Sequence, residues 1–323
     1  MGLSLAVAAQ ATPAAGGPHP FLTADQNPFI QIFSLPLPQN PQLVEAGAWG
    51  LEFALDLTSN SIGEGAAAEN IILDGETYRS TLMVTRGLSG GLEAGIAIPY
   101  VMHRRGVFDS FIENWHDTFG LSNRKRTAFE RNQLVFSYED PEDALVLDEP
   151  TEGLGDVRLF LGLSLEEDRV AGRDYALHVS LKLPSGDAAK LLGSGGTDLA
   201  LQLSAMDTAL LERWRTALFW SFGALRLGSG EVLEAIRRDY VAIGTVGAET
   251  ALTDDLSLKA QLDAHSSFYD SELAALGASS VQLTVGGTIG LWGRNMLDLG
   301  LVENLFTDTT PDLVFHLAWR TVL

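Results

Sequence analysis

The sequence predicts an all-β protein: a transmembrane antiparallel β-barrel of about twelve strands, with a short helix in a long outer loop. Three observations lead to this prediction. Apolar and polar residues alternate with a period of two from Gly47 onward, and the alternation continues through PDLVFHLAWRTVL to the last residue. Many of the stretches approach the roughly 9 to 11 residues with which a tilted strand crosses a bilayer. One parity is rich in leucine and aromatic residues, whereas the other is small or mixed.

The candidate strands follow one another along the chain. In the first of them, Leu51, Phe53 and Leu55 share one face, and Glu52 and Asp56 share the other. In order, the candidates are WGLEFALDLT, TYRSTLMVT, GLEAGIAIPYVMH, GDVRLFLGLSL, DYALHVSLKLP, TDLALQLSA, ERWRTALFWSF, DYVAIGTVGAE, DLSLKAQLDAH, SSVQLTVGGTIGLW, NMLDLGLVEN and PDLVFHLAWRTVL. The second and the eighth alternate less regularly than the others.

The two faces of these strands predict different surroundings. A leucine-rich face suits lipid, and a small, polar face suits a narrow barrel interior. Aromatic residues near strand ends predict an interfacial girdle, made of Trp49, Tyr100, Tyr175, Trp214, Trp292 and Trp319. The candidate lumen-lining residues are Glu52, Asp56, Glu93, Arg158, His178, Lys182, Arg213, Arg215, Lys259, Asp263, His316 and Arg320. Such charges either pair across a filled lumen or set the selectivity of an open one. A soluble β-barrel is the alternative architecture.

Connections between the candidate strands alternate in length. The longer ones are 59–75, 104–152, 185–196, 228–237 and 266–277. Membrane barrels place short turns in the periplasm and long loops outside, so both termini are predicted on the periplasmic side. With an even number of strands, the last pairs with the first. This closure removes both sheet edges and explains why the alternation runs to the end of the chain.

Two segments precede the strands. Residues 1–20 are predicted as the remnant of a signal peptide or a disordered leader, because a short apolar run precedes the small residues Ala9 and Ala11. Residues 21–46 are predicted as a Pro-rich extended segment and a candidate plug, since prolines prevent regular ladder pairing. The barrel itself is predicted over 47–323.

The insert 104–152 has a helical pattern of its own. Its apolar residues at helical spacing are Phe108, Phe111, Ile112, Trp115 and Phe119. A dense basic run, Arg124 to Arg126, follows them. The helix either packs at the outer mouth with the basic run on lipopolysaccharide phosphates, or covers its own apolar face beside a solvated turn.

Composition excludes several classes of function. The 21 Lys and Arg residues against 42 Asp and Glu residues give a net charge of −21, so the chain has no basic surplus with which to bind nucleic acid. The absence of cysteine removes disulfides, thiolate metal sites and catalytic thiols. No apolar run reaches the roughly 20 residues of a membrane-spanning helix.

Several motifs resemble a known family. NPFIQIFSLP, FIENWHDTFGL, GLGDVRLFLG and TPDLVFHLAW resemble uncharacterised bacterial proteins of the domain of unknown function 3187 family, whose members are taken to be outer-membrane β-barrels. The stretch from GLGDVRLFL to LGSGGTDLALQLS is more distantly similar to phenol-degradation meta-pathway channels. The resemblance implies the outer membrane of a Gram-negative bacterium and insertion by its assembly machinery. Such proteins usually end on Phe or Trp, and this chain departs from them by ending on Leu323.

The predicted function is a passive channel or facilitator for small molecules, apolar ones among them, acting as a monomer without a cofactor or metal. The Pro-rich segment or the 104–152 insert would be its plug or lid. Two alternatives stay open: a structural envelope barrel with a filled lumen, and a lipid hydrolase. For the hydrolase, His178 and Ser180 share a strand face and Asp198 lies on the next strand, which outlines a base, a nucleophile and an orienting acid.

Overall fold

The computed structural model describes residues 17–66, 68–106, 132–168, 172–305, 310–311 and 313–323. Its strands are β1 Trp49–Ala66, β2 Glu69–Leu88, β3 Leu92–Arg104, β4 Val135–Glu139, β5 Ala144–Leu147, β6 Thr151–Leu154, β7 Arg158–Asp168, β8 Arg173–Lys182, β9 Asp198–Leu211, β10 Thr216–Arg226, β11 Tyr240–Ala251, β12 Leu256–His265, β13 Ser280–Gly290, β14 Met296–Asn304 and β15 Leu313–Val322. Two single-turn helices, α1 Pro28–Gln31 and α2 Ala274–Gly277, lie outside the sheet. Within the described residues, no helix is long and apolar enough to cross a membrane.

Twelve of the fifteen strands close into an antiparallel barrel, and the short strands β4, β5 and β6 are additions to it. The predicted barrel of about twelve strands is thus confirmed. Closure joins β1 to β15, with Glu52 opposite Arg320 and Asp56 opposite His316. Trp49 and Leu323 exchange backbone hydrogen bonds of 3.0 and 2.8 Å. The last residue is therefore part of the wall, which is why the alternation reaches it.

The barrel has two unlike rims. The short-turn rim carries both ends of the wall and the turns β2–β3, β7–β8, β9–β10, β11–β12 and β13–β14. The opposite, long-loop rim carries the other connections. Residues 59–75 were predicted to be a loop there, but β1 and β2 remain paired from Ser59↔Glu76 to Ala66↔Glu69. Ile62, Ile71 and Leu73 of this extension are buried against the outer loops.

The wall alternates between a lipid-facing and an inward face. On β7, for example, Leu159, Leu161 and Leu163 are 41%, 58% and 39% exposed, whereas Phe160 between them is 6% exposed. Leucine side chains on an outer surface are favourable only where the surrounding solvent is apolar, so this pattern matches the outer face of a membrane barrel.

The wall is interrupted at one place between β3 and its neighbour. β3 pairs with β7 up to Ala97 and with β6 from Tyr100, and on this side Ile98 and Pro99 form no ladder pair, although both pair with β2 on the other side. Pro99 has no N–H to donate to the ladder. Its carbonyl accepts one hydrogen bond of 2.9 Å from the backbone N–H of Gly155. β6 and β7 thus lie one after the other beside β3 in the wall, and Gly155–Val157 separate them.

Residues 19–44, named here the luminal hairpin, lie inside the barrel. The first pass, 19–27, contacts the inward residues of β1, β11 and β12. The tip, 28–34, lies under the outer loops. The second pass, 35–44, returns along β2, β3, β7 and β8 to the short-turn rim. The hairpin makes no strand pairing with the wall, so side chains hold it.

The chain reverses at the tip of the hairpin through two local devices. Asn27 caps the helical turn α1, because its Oδ1 accepts the Phe29 N–H at 3.0 Å. Ser34 has a φ of 43°, a left-handed conformation that turns the chain back toward the short-turn rim. Its Oγ donates to the carbonyl of Asp156 at 3.0 Å and accepts from Arg79 at 2.9 Å.

Candidate functional site: the barrel interior

Inward residues form successive layers from the short-turn rim to the long-loop rim. On β1 the order is Glu52, Ala54, Asp56, and on the paired β15 it is Arg320, Ala318, His316. The first layer is charged and borders a cavity, the second is apolar, and the third is polar. The three layers therefore differ in chemistry along the barrel axis.

The first layer surrounds a cavity of about 690 Å³ at the short-turn rim, named here the vestibule. Its lining combines wall residues with both ends of the hairpin, His19 on the first pass and Val44 on the second. Glu93 accepts the Val44 N–H at 2.9 Å and lies 3.6 Å from His178 Nε2. The vestibule is thus bounded by the hairpin and is not separate from it.

The second layer is an apolar collar, defined by Leu22, Leu37, Ala54, Met83, Ala97, Phe160 and Ala318. Leu22 belongs to the first pass of the hairpin and Leu37 to the second, so each pass inserts a leucine into this layer. The wall residues come from five neighbouring strands, β15, β1, β2, β3 and β7. The small Ala54, Ala97 and Ala318 leave room for the two leucines beside the wall.

One glycine is required for this collar. The Phe160 ring lies across Gly95, where an added Cβ would be 2.2 Å from the ring. Such a separation is far below van der Waals contact, so any side chain at 95 would displace the ring. Gly95 is therefore a packing requirement of the collar.

The third layer is polar and fastens the hairpin to the wall. Asp56 accepts from Thr23 Oγ1 at 3.0 Å and lies 2.8 Å from His316 Nδ1. Arg79, the partner of Asp56 in the β1–β2 ladder, donates to the Gln31 carbonyl at 3.0 Å, and Arg158 donates to the Ser34 carbonyl at 2.8 Å. Hydrogen bonds between charged groups and buried backbone are among the stronger ones in proteins, so this layer anchors the first pass and the tip of the hairpin.

Two further side chains hold the backbone of the first pass. Gln261 accepts the Phe21 N–H at 2.7 Å and donates to the Phe21 carbonyl at 3.2 Å, in place of a strand partner. Lys259 Nζ lies 4.4 Å from the centre of the Phe21 ring and 3.2 Å from Asp298. Phe21 is fully buried by this arrangement.

The outermost layer is an apolar cap formed by the hairpin tip and the outer loops. Phe33 stacks on Phe268 with 4.9 Å between the ring centres. The Tyr269 hydroxyl donates to the Phe29 carbonyl at 2.7 Å. Burial raises the pKa of the Tyr269 phenol well above its ordinary value, so the phenol stays neutral and remains a donor.

A buried ion cluster joins the cap to the wall. Lys182 Nζ lies 2.8 Å from Asp156 and 2.7 Å from Asp198, and all three side chains are fully buried. Asp156 also accepts the Gly186 and Ser194 N–H groups at 2.8 and 3.0 Å. The cluster thereby fixes the loop after β8 over the hairpin tip.

Most of the predicted lumen-lining residues lie on the inward face and are buried or half-buried: Glu52, Asp56, Glu93, Arg158, His178, Lys182, Lys259, Asp263, His316 and Arg320. Arg213 and Arg215 do not. They belong to an exposed turn at the short-turn rim, where Arg213 lies 4.0 Å from the Trp214 ring centre and Arg215 pairs with Asp254 at 2.8 Å. The predicted strand began too early, because residues 212–214 form a 3₁₀ turn and β10 starts only at Thr216.

Five of the predicted girdle residues lie near the short-turn rim: Trp49, Tyr175, Trp214, Trp292 and Trp319. Trp49, Trp214 and Trp292 are 46%, 54% and 74% exposed. Tyr100 lies toward the opposite end of β3. The predicted loop helix, with Phe108, Phe111, Ile112, Trp115 and Phe119, lies outside the described residues, as does the leader up to residue 16.

Two of the three residues of the hydrolase alternative, Ser180 and Asp198, have other partners. Ser180 Oγ accepts from Arg158 at 2.9 Å, and Asp198 pairs with Lys182. Among the described residues, no hydrogen bond joins Ser180, His178 and Asp198 to one another. The hydrogen bond between nucleophile and general base that such a site requires is therefore not formed.

Sequence reasoning missed several residues that fasten the hairpin. Arg79 lies on the weakly alternating TYRSTLMVT, yet its parity with Thr77 and Thr81 pointed inward. Asp156 lies in the candidate strand GDVRLFLGLSL on the parity of Arg158, but it precedes β7 and was not among the predicted lumen-lining residues. Asp25 lies among prolines, where no period exists to indicate a direction.

The chain is similar to known proteins in two comparisons. A family model described as "Protein of unknown function (DUF3187)" matches residues 1–321. No curated protein matches the sequence. A COG4313 outer membrane channel from Pseudomonas putida F1 has a TM-score of 0.57 at 13% identity, covering 88% of this chain and 99% of that one.

Two further solved structures are less similar. The toluene transporter TbuX from Ralstonia pickettii has a TM-score of 0.41 at 9% identity, with 88% and 92% of the two chains covered. The beta domain of the Bordetella autotransporter BrkA has a TM-score of 0.42 at 13% identity, with 86% and 100% covered. Of the three structures, only the Pseudomonas channel exceeds a TM-score of 0.5, and at this identity it establishes a shared barrel fold.

Proposed function

The chain belongs to the DUF3187 family, and from the interior of its barrel we propose that it is a passive outer-membrane channel for small molecules, controlled by the luminal hairpin. The observation that carries this proposal is that the wall closes without the hairpin. Every strand of the barrel pairs with two neighbours of the wall, and the hairpin contributes no strand. Its displacement would open the lumen and leave the sheet intact.

With the hairpin in place, two small voids lie beside it in the described part of the barrel. Both lie between the hairpin and the wall and are about 30 Å³ each, close to the size of one water molecule. The vestibule is far larger but stops at the apolar collar. Passage of a solute larger than water therefore requires movement of the hairpin. Because side-chain contacts hold the hairpin, and no strand ladder does, these contacts can be released one after another.

The orientation follows from the rims. Short turns and both ends of the wall at one rim correspond to the periplasmic side of a bacterial outer-membrane barrel. The vestibule then faces the periplasm, and the cap faces outward. We further propose a monomer inserted by the outer-membrane assembly machinery, with bilayer lipid and lipopolysaccharide around the wall.

Planar-bilayer conductance tests the proposal. The full chain is compared with a variant lacking residues 19–44, both reconstituted at equal protein density. A matched control replaces residues 19–44 with a Gly/Ser linker of equal length, which keeps the chain length but removes the anchoring side chains. We expect rare or small steps for the full chain and larger, longer steps for both altered chains.

One specific observation favours a second candidate, a structural barrel with a permanently filled lumen: the two voids beside the hairpin are too small for a solute. The same recordings decide between the two functions. If the full chain is folded and inserted but never opens, while both altered chains conduct, the channel proposal is wrong and the permanently filled barrel is favoured.

A further inference from the structure

The vestibule has the volume of a ligand site. At about 690 Å³ it lies within the roughly 300 to 1,000 Å³ typical of small-molecule pockets. Leu22 and Met83 of the collar form part of its lining, and Leu43, Val44 and Val322 add further apolar surface. Charged side chains reach the same space. The cavity thus combines an apolar surface with a few fixed polar groups, as ligand pockets do.

Two oppositely charged side chains in the vestibule have free hydrogen-bonding atoms. Within the part of the chain that the structure describes, Glu52 Oε2 and Arg320 Nη2 are buried and have no hydrogen-bond partner. The nearest basic atom to Glu52 Oε2 is His19 Nε2 at 3.9 Å, and Arg320 contacts Asp298 only through Nε at 3.5 Å. A buried charged group without a partner is costly, so these atoms are suited to take up a ligand or water.

Glu52 and Arg320 are also neighbours. They face each other across the β1–β15 ladder, with both side chains on the inward face. The Cβ atoms of directly opposed residues are about 4.5–5.5 Å apart. A single head group that carries a donor and an acceptor attached to the same carbon can therefore reach both.

Charge selects among ligand types. The vestibule lining holds three glutamates, Glu45, Glu52 and Glu93, against two arginines, Arg294 and Arg320. A simple anion would meet this surplus of negative charge, and a simple cation would leave Arg320 Nη2 without a partner. A hydrocarbon would desolvate both charged groups and satisfy neither. A zwitterion offers an ammonium group to Glu52 and a carboxylate to Arg320.

We propose that the vestibule is a binding site for a small zwitterion with an apolar side chain, of the size of an aromatic α-amino acid. The head group lies between Glu52 and Arg320, and the side chain lies against Leu22 and Met83. If the barrel is a channel, this site identifies the class of solute that it carries, and to that extent the inference rests on the proposed function. Binding itself requires no conduction.

Binding to the full chain in lipid nanodiscs tests the site, with empty nanodiscs as the background. The probes are L-phenylalanine, 3-phenylpropanoate, which lacks the ammonium group, and 2-phenylethylamine, which lacks the carboxylate. We expect saturable binding of L-phenylalanine, at least about tenfold tighter than that of either partial probe, since each lost charged contact is worth about that factor.

Three variants assign the contacts. Glu52→Gln should weaken L-phenylalanine and 2-phenylethylamine about tenfold but leave 3-phenylpropanoate unchanged, and Arg320→Gln should do the converse. Arg294→Gln is the matched control, because Arg294 lines the same cavity but is exposed. Equal binding of all three probes, no binding of L-phenylalanine to folded protein, or equal effects of Arg294→Gln and Arg320→Gln would each overturn the site. A silent conductance record with intact binding would instead fault only the channel function.

Discussion

His265 Nε2 lies 2.9 Å from Asp25 Oδ2, and this contact joins the wall strand β12 to the first pass of the luminal hairpin. Both side chains are almost fully buried, at 6% and 0% exposure. The other oxygen of Asp25 accepts the Asn27 N–H at 2.8 Å, just before the tip. The contact therefore links the wall to the point where the hairpin begins to turn.

A double-mutant cycle of Asp25→Ala and His265→Ala should give a coupling free energy of about 1–2 kcal/mol, because the two groups are in direct buried contact. Either single variant should also make the hairpin more susceptible to protease added from the short-turn side. Urea unfolding in lipid vesicles measures the coupling. The exposed pair Arg238 and Asp270 is the control cycle and should give less than about 0.5 kcal/mol. Equal coupling in both cycles would contradict a role in holding the hairpin.

Lys182→Met should destabilise the protein by about 3–5 kcal/mol. The substitution removes the cation between Asp156 and Asp198 and leaves two fully buried carboxylates side by side. Lys190→Met is the matched control, since Lys190 is half-exposed and pairs with an exposed Asp187, and it should change stability by less than about 0.5 kcal/mol. Similar unfolding midpoints for the two variants would show that the buried cluster does not hold the outer loops.

The period of two in the sequence was sufficient to predict the strands of the wall, but it was insufficient to predict the contacts of the interior. Parity along β7 correctly separated Leu161 from Phe160, because lipid and lumen impose opposite preferences on alternate residues. Asp25 and His265 are 240 residues apart, and no local pattern relates them. Parity also failed for Arg215, whose left-handed φ of 54° ends the turn before β10 begins. Local periodicity reports the environment of a face, whereas the hairpin contacts depend on tertiary closure.

A charge introduced on the lipid face of the wall should be destabilising, whereas a charge at an equally exposed position outside the wall should be tolerated. Leu161→Arg, on the lipid face of β7, should destabilise the barrel by about 2–4 kcal/mol, because the guanidinium would lie in hydrocarbon. Val146→Arg is the control: Val146 is 63% exposed, similar to the 58% of Leu161, but lies on β5 outside the barrel wall. It should have little effect. Reversible unfolding from vesicles measures both, and equal losses would contradict a membrane-embedded wall.

An outer-loop ion pair should contribute a pH-dependent stability. Arg237 donates to both oxygens of Glu234, at 2.8 and 3.2 Å, and this contact lowers the pKa of Glu234 below its usual 4.5. A pKa lowered in the folded state means that the stabilisation is present above 4.5 and is lost as the pH falls through the folded value. The effect should be small because Glu234 is 41% exposed.

The measurement for this pair compares the thermal unfolding of wild type and Glu234→Gln from neutral pH downward. The wild type should be the more stable above 4.5, and the difference should shrink below that value. A difference that is independent of pH would assign the stabilisation to the hydrogen bond that Glu234 accepts from the Gly230 N–H, and not to the charge.

The apolar collar should be a barrier to ions in its own right. Narrow apolar constrictions exclude ions by losing water, so polarity matters there beyond width. Leu37 lies in the collar on the second pass, and the void beside it is about 30 Å³. Leu37→Ser and Leu37→Ala remove a similar volume, but only serine supplies a hydroxyl that holds water. Leu37→Ser should therefore raise ion conductance several-fold with the hairpin still in place, and Leu37→Ala should raise it much less. Equal conductance of the two variants would mean that the collar blocks ions by bulk alone, and a silent Leu37→Ser would place the barrier in another layer of the interior.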